Sequence, residues 1–304
     1  MLTKNDKPIR GIHAFVSRRA VVTCLVLAVI FLMPREGRVR TWHVKADSTG
    51  EVPTIRVALD SATTGDTVLV GPGTHVVEAC MFIEKGIVLT SEAGPTETRI
   101  VPESPPINLP YCAFSINEMT NGRAEISGFW FDGSYYGTTD MGVIGIDRCD
   151  SVYVINNVFT NYLAGGIAFT VGDSYWIVIE NNTFVGGRYA IQGLGSRDGI
   201  VRSNIIWAAA LELGAFDFVA CNCMLDVEDA GRFEPFNFGA DPQFCGTVAS
   251  QNLFLQSDSP CAPGNAPLLP SICDSLKVVG ALPVGCGTTP IRSTSWGAFK
   301  NIYR

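Results

Sequence analysis

The chain has 304 residues, 47% of them hydrophobic and only 17% charged, with 31 Gly and 10 Cys. It can therefore bury a large core, which excludes an intrinsically disordered protein. Residues 1–40 carry eight Lys/Arg and two acids, leaving 14 basic against 27 acidic side chains and a net charge of −13 in the remainder. That balance argues against nucleic acid as a partner, and it disfavours polyanionic sugars unless metal ions bridge the like charges.

The first element is an apolar run of 14 residues, Ala20 to Met33, preceded by Arg10, Arg18 and Arg19. It is short for a membrane span and suits the core of an export signal. Ser17-Arg18-Arg19 loosely matches a twin-arginine signal. Arg35, Arg38 and Arg40 on the far side leave an uncleaved anchor open as the alternative. Residues 1–40 are thus expected to be an export signal or membrane anchor, and the protein secreted, periplasmic or on the cell surface. Beyond Cys24 there are nine cysteines, a number that fits an oxidising compartment and leaves one thiol unpaired. Connectivity does not follow from spacing. Cys245, Cys261, Cys273 and Cys286 crowd a Pro-rich C-terminal region that needs staples. Cys221 and Cys223 lack a second close pair or a nearby His, so zinc is not expected.

Residues 41–286 read as one body. Pro53 to Ala62 places Ile55, Ala58, Leu59 and Ala62 at helical spacing. A short amphipathic helix there would cover the open end of a sheet stack. Thr67 to Val70 reads as a strand and Gly71 to Thr74 as a turn. Further strands are expected at 86–90, 97–101 and 111–116.

The middle of the chain repeats itself. Val154-Ile155-Asn156-Asn157-Val158-Phe159, Ile179-Glu180-Asn181-Asn182-Thr183-Phe184 and Val201-Arg202-Ser203-Asn204-Ile205-Ile206 align, and Ile126 to Phe131 fits with Phe129 in the Asn place. A second strand recurs between these segments, with Val143, Ile167 and Ile191 as its equivalent positions. Strands of three to five residues with alternating apolar positions present one face inward. A single coil cannot bury that face, whereas coils stacked on one another bury it and pair their backbones above and below. Val154, Ile179 and Val201 then share one buried column, and Asn157, Asn182 and Asn204 form an amide ladder at one bend. Asn181 also fits a glycosylation acceptor, but the repeat accounts for its letters.

At these residues the chain resembles a known family. Thr41 to Val44 and Pro53 to His75 look like the opening of the secreted right-handed parallel β-helix repeat proteins of the pectate-lyase-like superfamily. The Val154 and Ile179 segments resemble its repeat. Gly239 to Cys245, Leu253 to Cys261 and Val278 to Cys286 resemble the closing segment of many bacterial members. The resemblance implies an all-β right-handed parallel β-helix over 41–286, with an N-terminal capping helix and a disulfide-stapled C-terminal region. Residues 287–304 are left as a linker and tail, in which Trp296, Phe299 and Ile302 could form one side of a short helix.

The resemblance leaves function open, because this superfamily hosts lyases, hydrolases and proteins without assigned activity. Its glycosidases would call for Asn-x-Asp, Asp-Asp and Gly-His-Gly segments, of which the last two are absent. His43 and His75 belong to the opening coil. The remaining catalytic candidates are Asp147, Arg148, Asp173 and Arg188. Glu180 and Arg202 fall at the same outward position of neighbouring coils and read as an exposed ion pair. Asp226, Glu228 and Asp229 form either a solvated acidic loop or a Ca2+ site; no other cofactor is expected. Aromatic residues Trp130, Tyr135, Tyr136, Tyr153, Tyr162, Tyr175, Trp176 and Tyr189 punctuate the repeat. Tyr153 and Trp176 are expected to point outward, where flat rings can stack on sugars. The expected function is an exported, non-catalytic surface scaffold or glycan-binding module, with a polysaccharide lyase or glycoside hydrolase of divergent site as the alternative. The expected partner is a polysaccharide or cell-surface glycan. A membrane would be met only through an uncleaved N-terminal segment.

Overall fold

A computed structural model of the chain describes residues 39–78, 80–103, 112–133, 142–161, 167–193, 197–207, 209–213, 216–227, 236–266, 273 and 279–286. The export segment, Tyr135, Tyr136, Tyr162, Glu228, Asp229 and the tail fall outside these residues.

The chain winds as a right-handed parallel β-helix with three strands per coil, one in each of three parallel sheets. Sheet 1 holds β1 (Thr41–Val44), β2 (Thr67–Val70), β5 (Val88–Ser91), β8 (Ala124–Ser127), β11 (Asp150–Ile155), β14 (Tyr175–Glu180), β17 (Gly199–Arg202) and β20 (Phe216–Ala220). Sheet 2 holds β3 (Gly73–Val77), β6 (Thr98–Pro102), β9 (Trp130–Asp132), β12 (Val158–Thr160), β15 (Thr183–Val185), β18 (Ile205–Trp207), β21 (Cys223–Leu225) and β22 (Phe238–Gly239). Sheet 3 holds β4 (Met81–Ile83), β7 (Phe114–Asn117), β10 (Ile144–Asp147), β13 (Ile167–Val171), β16 (Tyr189–Gly193) and β19 (Ala210–Leu213).

Register converts the sequence repeat into columns. Leu89, Ile126, Val154, Ile179 and Val201 are successive partners in sheet 1, and each is fully buried. In sheet 2 the rings of Phe131, Phe159 and Phe184 stack at 4.8 and 5.1 Å, close to the strand spacing itself. In sheet 3 the paired column is Ile144, Phe169, Ile191 and Leu211. This differs from the expected alignment of Val143 with Ile167 and Ile191. The interval back from sheet 1 is ten residues in each of these coils, Ile144 to Val154, Phe169 to Ile179 and Ile191 to Val201, whereas Val143 and Ile167 lie 11 and 12 residues before their partners and so fall one or two residues short.

The bend from sheet 1 to sheet 2 is built the same way in successive coils. Its first residue has positive φ: Gly128 at 81°, Asn156 at 57°, Asn181 at 54°, Ser203 at 57° and Cys221 at 63°. Gly and Asn reach that region with little strain. The next residue points its side chain inward. Asn157, Asn182, Asn204 and Asn222 are fully buried. Each of their amide nitrogens donates to the carbonyl oxygen of the next side chain, at 3.2, 3.1, 2.9 and 2.8 Å, the last step ending on Asn237. The same oxygens accept a backbone N–H from the preceding coil, beginning with Phe129 on Asn157. Asn181, by contrast, is itself buried in the bend, unlike an exposed glycosylation acceptor.

At the N-terminal end, helix α1 (Ile55–Ser61) buries Ile55, Ala58 and Leu59. The Thr54 hydroxyl caps its start, and Lys85 Nζ donates to the carbonyls of Leu59, Asp60 and Ala62 at its end. Asp66 ties the first coil together by accepting from the backbone N–H groups of Arg40 and Thr63, the Thr63 hydroxyl and Trp42 Nε1. Burial pushes its carboxyl upward, yet these four donors outweigh burial and hold it below the usual carboxylate value. Strands β3 and β4 follow β2, where the sequence pattern predicts only a turn at Gly71 to Thr74 and no strand at Met81 to Ile83.

The C-terminal segment lies over the outer face of sheet 2. Leu253, Ala281 and Leu282 pack on Trp130 and Val158, while Leu255, Cys261 and Val279 pack with Ile205 and Cys223. Ala281 N–H donates to Thr183 Oγ1 at 2.9 Å and Gly280 N–H to Ser203 O at 2.8 Å. Disulfides Cys221–Cys273, Cys223–Cys261 and Cys245–Cys286 staple this region; a fourth, Cys80–Cys112, lies in the early coils. Cys221 and Cys223 are therefore disulfide sulfurs and not metal thiolates.

Candidate functional site

The corner where sheet 3 hands over to sheet 1 gathers most of the candidate residues. In three successive coils this corner has the same length. Asp147 to Ser151 overlies Gly172 to Trp176, and Tyr175 and Trp176 in turn meet Arg197 and Asp198 of the third coil. Equal length lets corner stack on corner without a bulge. Tyr175 N–H donates to Cys149 O at 2.8 Å and Trp176 N–H to Arg197 O at 3.2 Å, so the backbone is pinned from both sides.

The corner has defined limits. Below it, the turn between β7 and β8 is two residues longer, as the pairing of Asn117 with Asp147 and of Ala124 with Val152 requires. Above it, Leu213 pairs Gly193 while Phe216 already pairs Gly199, so the turn shortens. The Phe216 ring fills the space that side chains at Gly193 and Gly199 would need.

Two aromatic side chains stand out from this corner. Trp176 is 60% exposed and Tyr175 is 42% exposed. Trp176 also has a φ of 55°, in a column with Ser151 at 62° and Asp198 at 56°. Left-handed backbone in a bulky residue costs about 1–2 kcal/mol. Tyr153 differs: it is half-buried, and the Arg123 guanidinium covers one ring face at 3.7 Å. Of the two ring platforms expected from sequence, Trp176 is open and Tyr153 is capped. Tyr175 was not singled out as a platform; its place beside Trp176 in the repeat was the signal that could have found it.

The charged candidates divide. Asp147, Arg148 and Asp173 share the corner. Arg148 bridges Asp147 and Glu118, each at 3.0 Å, and the Asp147 carboxylate lies over Gly172 in space that a side chain there would fill. Asp150 and Asp198 stand in neighbouring positions, so the corner carries four aspartates against Arg148 and Arg197. Arg188 is elsewhere. It precedes Tyr189, which pairs Ile167 at the other end of sheet 3, five residues and about 16 Å from the Asp147 level. Glu180 and Arg202 pair at 3.0 Å on the outer face of sheet 1. Asp226 is exposed, and among the described residues no group of three or more His, Cys, Asp and Glu is disposed to hold a metal ion.

Beneath the corner lies Cys149, buried and without a disulfide partner. Its thiol contacts the Ile116 and Asp147 carbonyls at 3.2 and 3.1 Å. Burial pushes the thiol's pKa up and Asp147 and Asp150 add to the rise, against two backbone hydrogen bonds that lower it. The thiol is packed in the core beneath the corner. His75, also buried, contacts Gly71 O at 2.9 Å; burial holds its pKa below the ordinary value.

No protein-family model matches the chain, and no curated protein sequence does. Partial likenesses are found among solved structures. The catalytic domain of a GH87 α-1,3-glucanase in complex with nigerose is 15% identical over 57% of this chain and 37% of its own, with a TM-score of 0.44. The PL6 family alginate lyase AlyGC is 16% identical over 64% of this chain and 30% of its own, with a TM-score of 0.41. A mannuronic acid specific family 6 lyase from human gut microbiota is 14% identical over 62% and 55%, with a TM-score of 0.32. The chain thus spans about a third of the length of each of the first two.

Proposed function

We propose that this is an exported, non-catalytic β-helix module that binds glycans at the corner formed by Tyr175 and Trp176. The carrying observation is Trp176: a large aromatic that is 60% exposed and held in left-handed backbone on a rigid, stacked corner. An exposed flat ring flanked by Asp, Ser and Arg suits the apolar face and hydroxyl rim of a sugar. The open corner offers little enclosed area, so affinity is modest, with Kd in about the micromolar to millimolar range. Four disulfides support export, since such bonds persist in oxidising compartments. Among the described residues no helix is long and apolar enough to cross a membrane.

A glycan array probed with the wild-type chain and with Trp176→Ala tests this. Binding lost in the variant, with an unchanged melting profile, supports the reading; wild-type binding that survives in the variant, or no binding at all, overturns it.

A second reading has one observation of its own: Asp147, Arg148 and Asp173 meet at the same corner. It assigns the protein a lyase or hydrolase activity on a bound polysaccharide. Turnover assays on the array hits, with Asp147→Ala as the control, decide it. Cleavage lost in that variant favours the enzyme; hits that bind and are not cleaved favour the module.

A further inference from the structure

The stacked corner is longer than a single ring platform, and its dimensions constrain what it can hold. Two rows of side chains run across it parallel to the helix axis: Asp150, Tyr175 and Arg197 in one, Ser151, Trp176 and Asp198 in the other. Neighbouring coils are about 4.8 Å apart, because that is the spacing of paired strands. This step is close to the advance of one pyranose unit in an extended sugar chain. The rows hold for three coils and stop, below at the longer turn after β7 and above at the Phe216 ring.

We infer that the ligand is an uncharged linear glycan lying along the helix axis, engaged through three consecutive units, one per coil. This rests on the glycan-binding reading and narrows it. The central unit stacks on Trp176 and Tyr175. The outer units meet Asp150 and Ser151 on one side and Arg197 and Asp198 on the other, all with atoms suited to hydroxyl groups. The charge selects against uronates: four aspartates face two arginines, and Arg148 is already engaged by Asp147 and Glu118.

Titration calorimetry with neutral gluco- and manno-oligosaccharides of one to six units, and with oligogalacturonates of the same lengths, tests the inference on the full chain. Affinity for the neutral series is expected to rise up to three units and then level, with oligogalacturonates failing to compete. Arg197→Ala and Asp198→Ala are expected to weaken the trisaccharide about three- to tenfold each, as loss of one hydrogen bond does, and to leave the monosaccharide unchanged. A monosaccharide that binds as tightly as the trisaccharide, or a preference for the uronates, overturns the track while leaving glycan binding in place. No binding by either series overturns both.

Discussion

Trp176 is where local stability and function pull apart. Its φ of 55° favours glycine or asparagine, and its ring buries little. Replacing it with Gly is expected to raise stability by about 1 kcal/mol by removing the backbone strain, and to abolish glycan binding. Chemical denaturation paired with calorimetry reads both signs. The ladder residues behave oppositely. Asn182 is fully buried and serves the backbone N–H and side-chain amide of Asn157. Asn182→Leu leaves the Asn157 backbone N–H without its acceptor and removes the donor to the Val154 and Glu180 carbonyls, and a loss of about 3 kcal/mol is expected by denaturation. Three rungs of this ladder were legible in the sequence because Asn157, Asn182 and Asn204 sit in segments that still share their neighbours. Asn222 and Asn237 were not. Cys221 and Cys223 flank Asn222 where earlier coils have an Asn or Ser and an apolar or Thr residue, and the interval from Asn204 shrinks to 18 residues. The physical requirement is unchanged, but the letters around it answer to the disulfides.

At the scale of elements, the first coil holds the pH-sensitive contacts. His75 has a lowered pKa, so the folded state binds its proton less readily than the unfolded chain does. Its contribution is complete above the unfolded value of about 6.5 and is lost as pH falls through the lower folded value. Asp66, also lowered, contributes above the ordinary carboxylate value and loses that contribution only in stronger acid. Stability measured by denaturant midpoint is therefore expected to fall in two steps on acidification, and His75→Gln is expected to flatten the first of them. Elsewhere, the Phe131, Phe159 and Phe184 stack supplies core volume at each coil, and Phe159→Ala is expected to cost about 3–5 kcal/mol. Strands with strict alternation were readable in advance, as Val152 and Val154 or Ile177 and Ile179 show. Three-residue strands such as Met81–Ile83 were not, because three letters carry no period. Sheet 3 aligns only when a constant ten-residue interval to sheet 1 is kept; Val143 and Ile167 are apolar neighbours of the true column residues Ile144 and Phe169, and apolar character alone does not separate them.

At the scale of the molecule, the three sheets differ in what covers them. Sheet 2 lies under the C-terminal segment and its three disulfides, while the corner between sheets 3 and 1 is open to solvent. Disulfides that cross-link loops of some 40–50 residues stabilise chiefly by restricting the unfolded chain, about 3–4 kcal/mol each. Reduction is accordingly expected to expose the apolar face formed by Trp130, Val158 and Ile205, with a rise in hydrophobic-dye binding. Cys149 is expected to resist thiol reagents until the chain unfolds, with label mapping to this residue only after denaturation. The solenoid itself was legible from the repeat. The corner was legible only in pieces, since Asp147, Asp173 and Trp176 come together through a register that no single repeat states.

The most direct test of the account is oxidative footprinting of the chain with and without a bound oligosaccharide, read by mass spectrometry. The account predicts that Trp176 and Tyr175 lose most of their oxidation in the complex, while exposed aromatics elsewhere, such as Phe82 and Phe236, are unchanged. Undiminished oxidation of Trp176 in a saturated complex would contradict it.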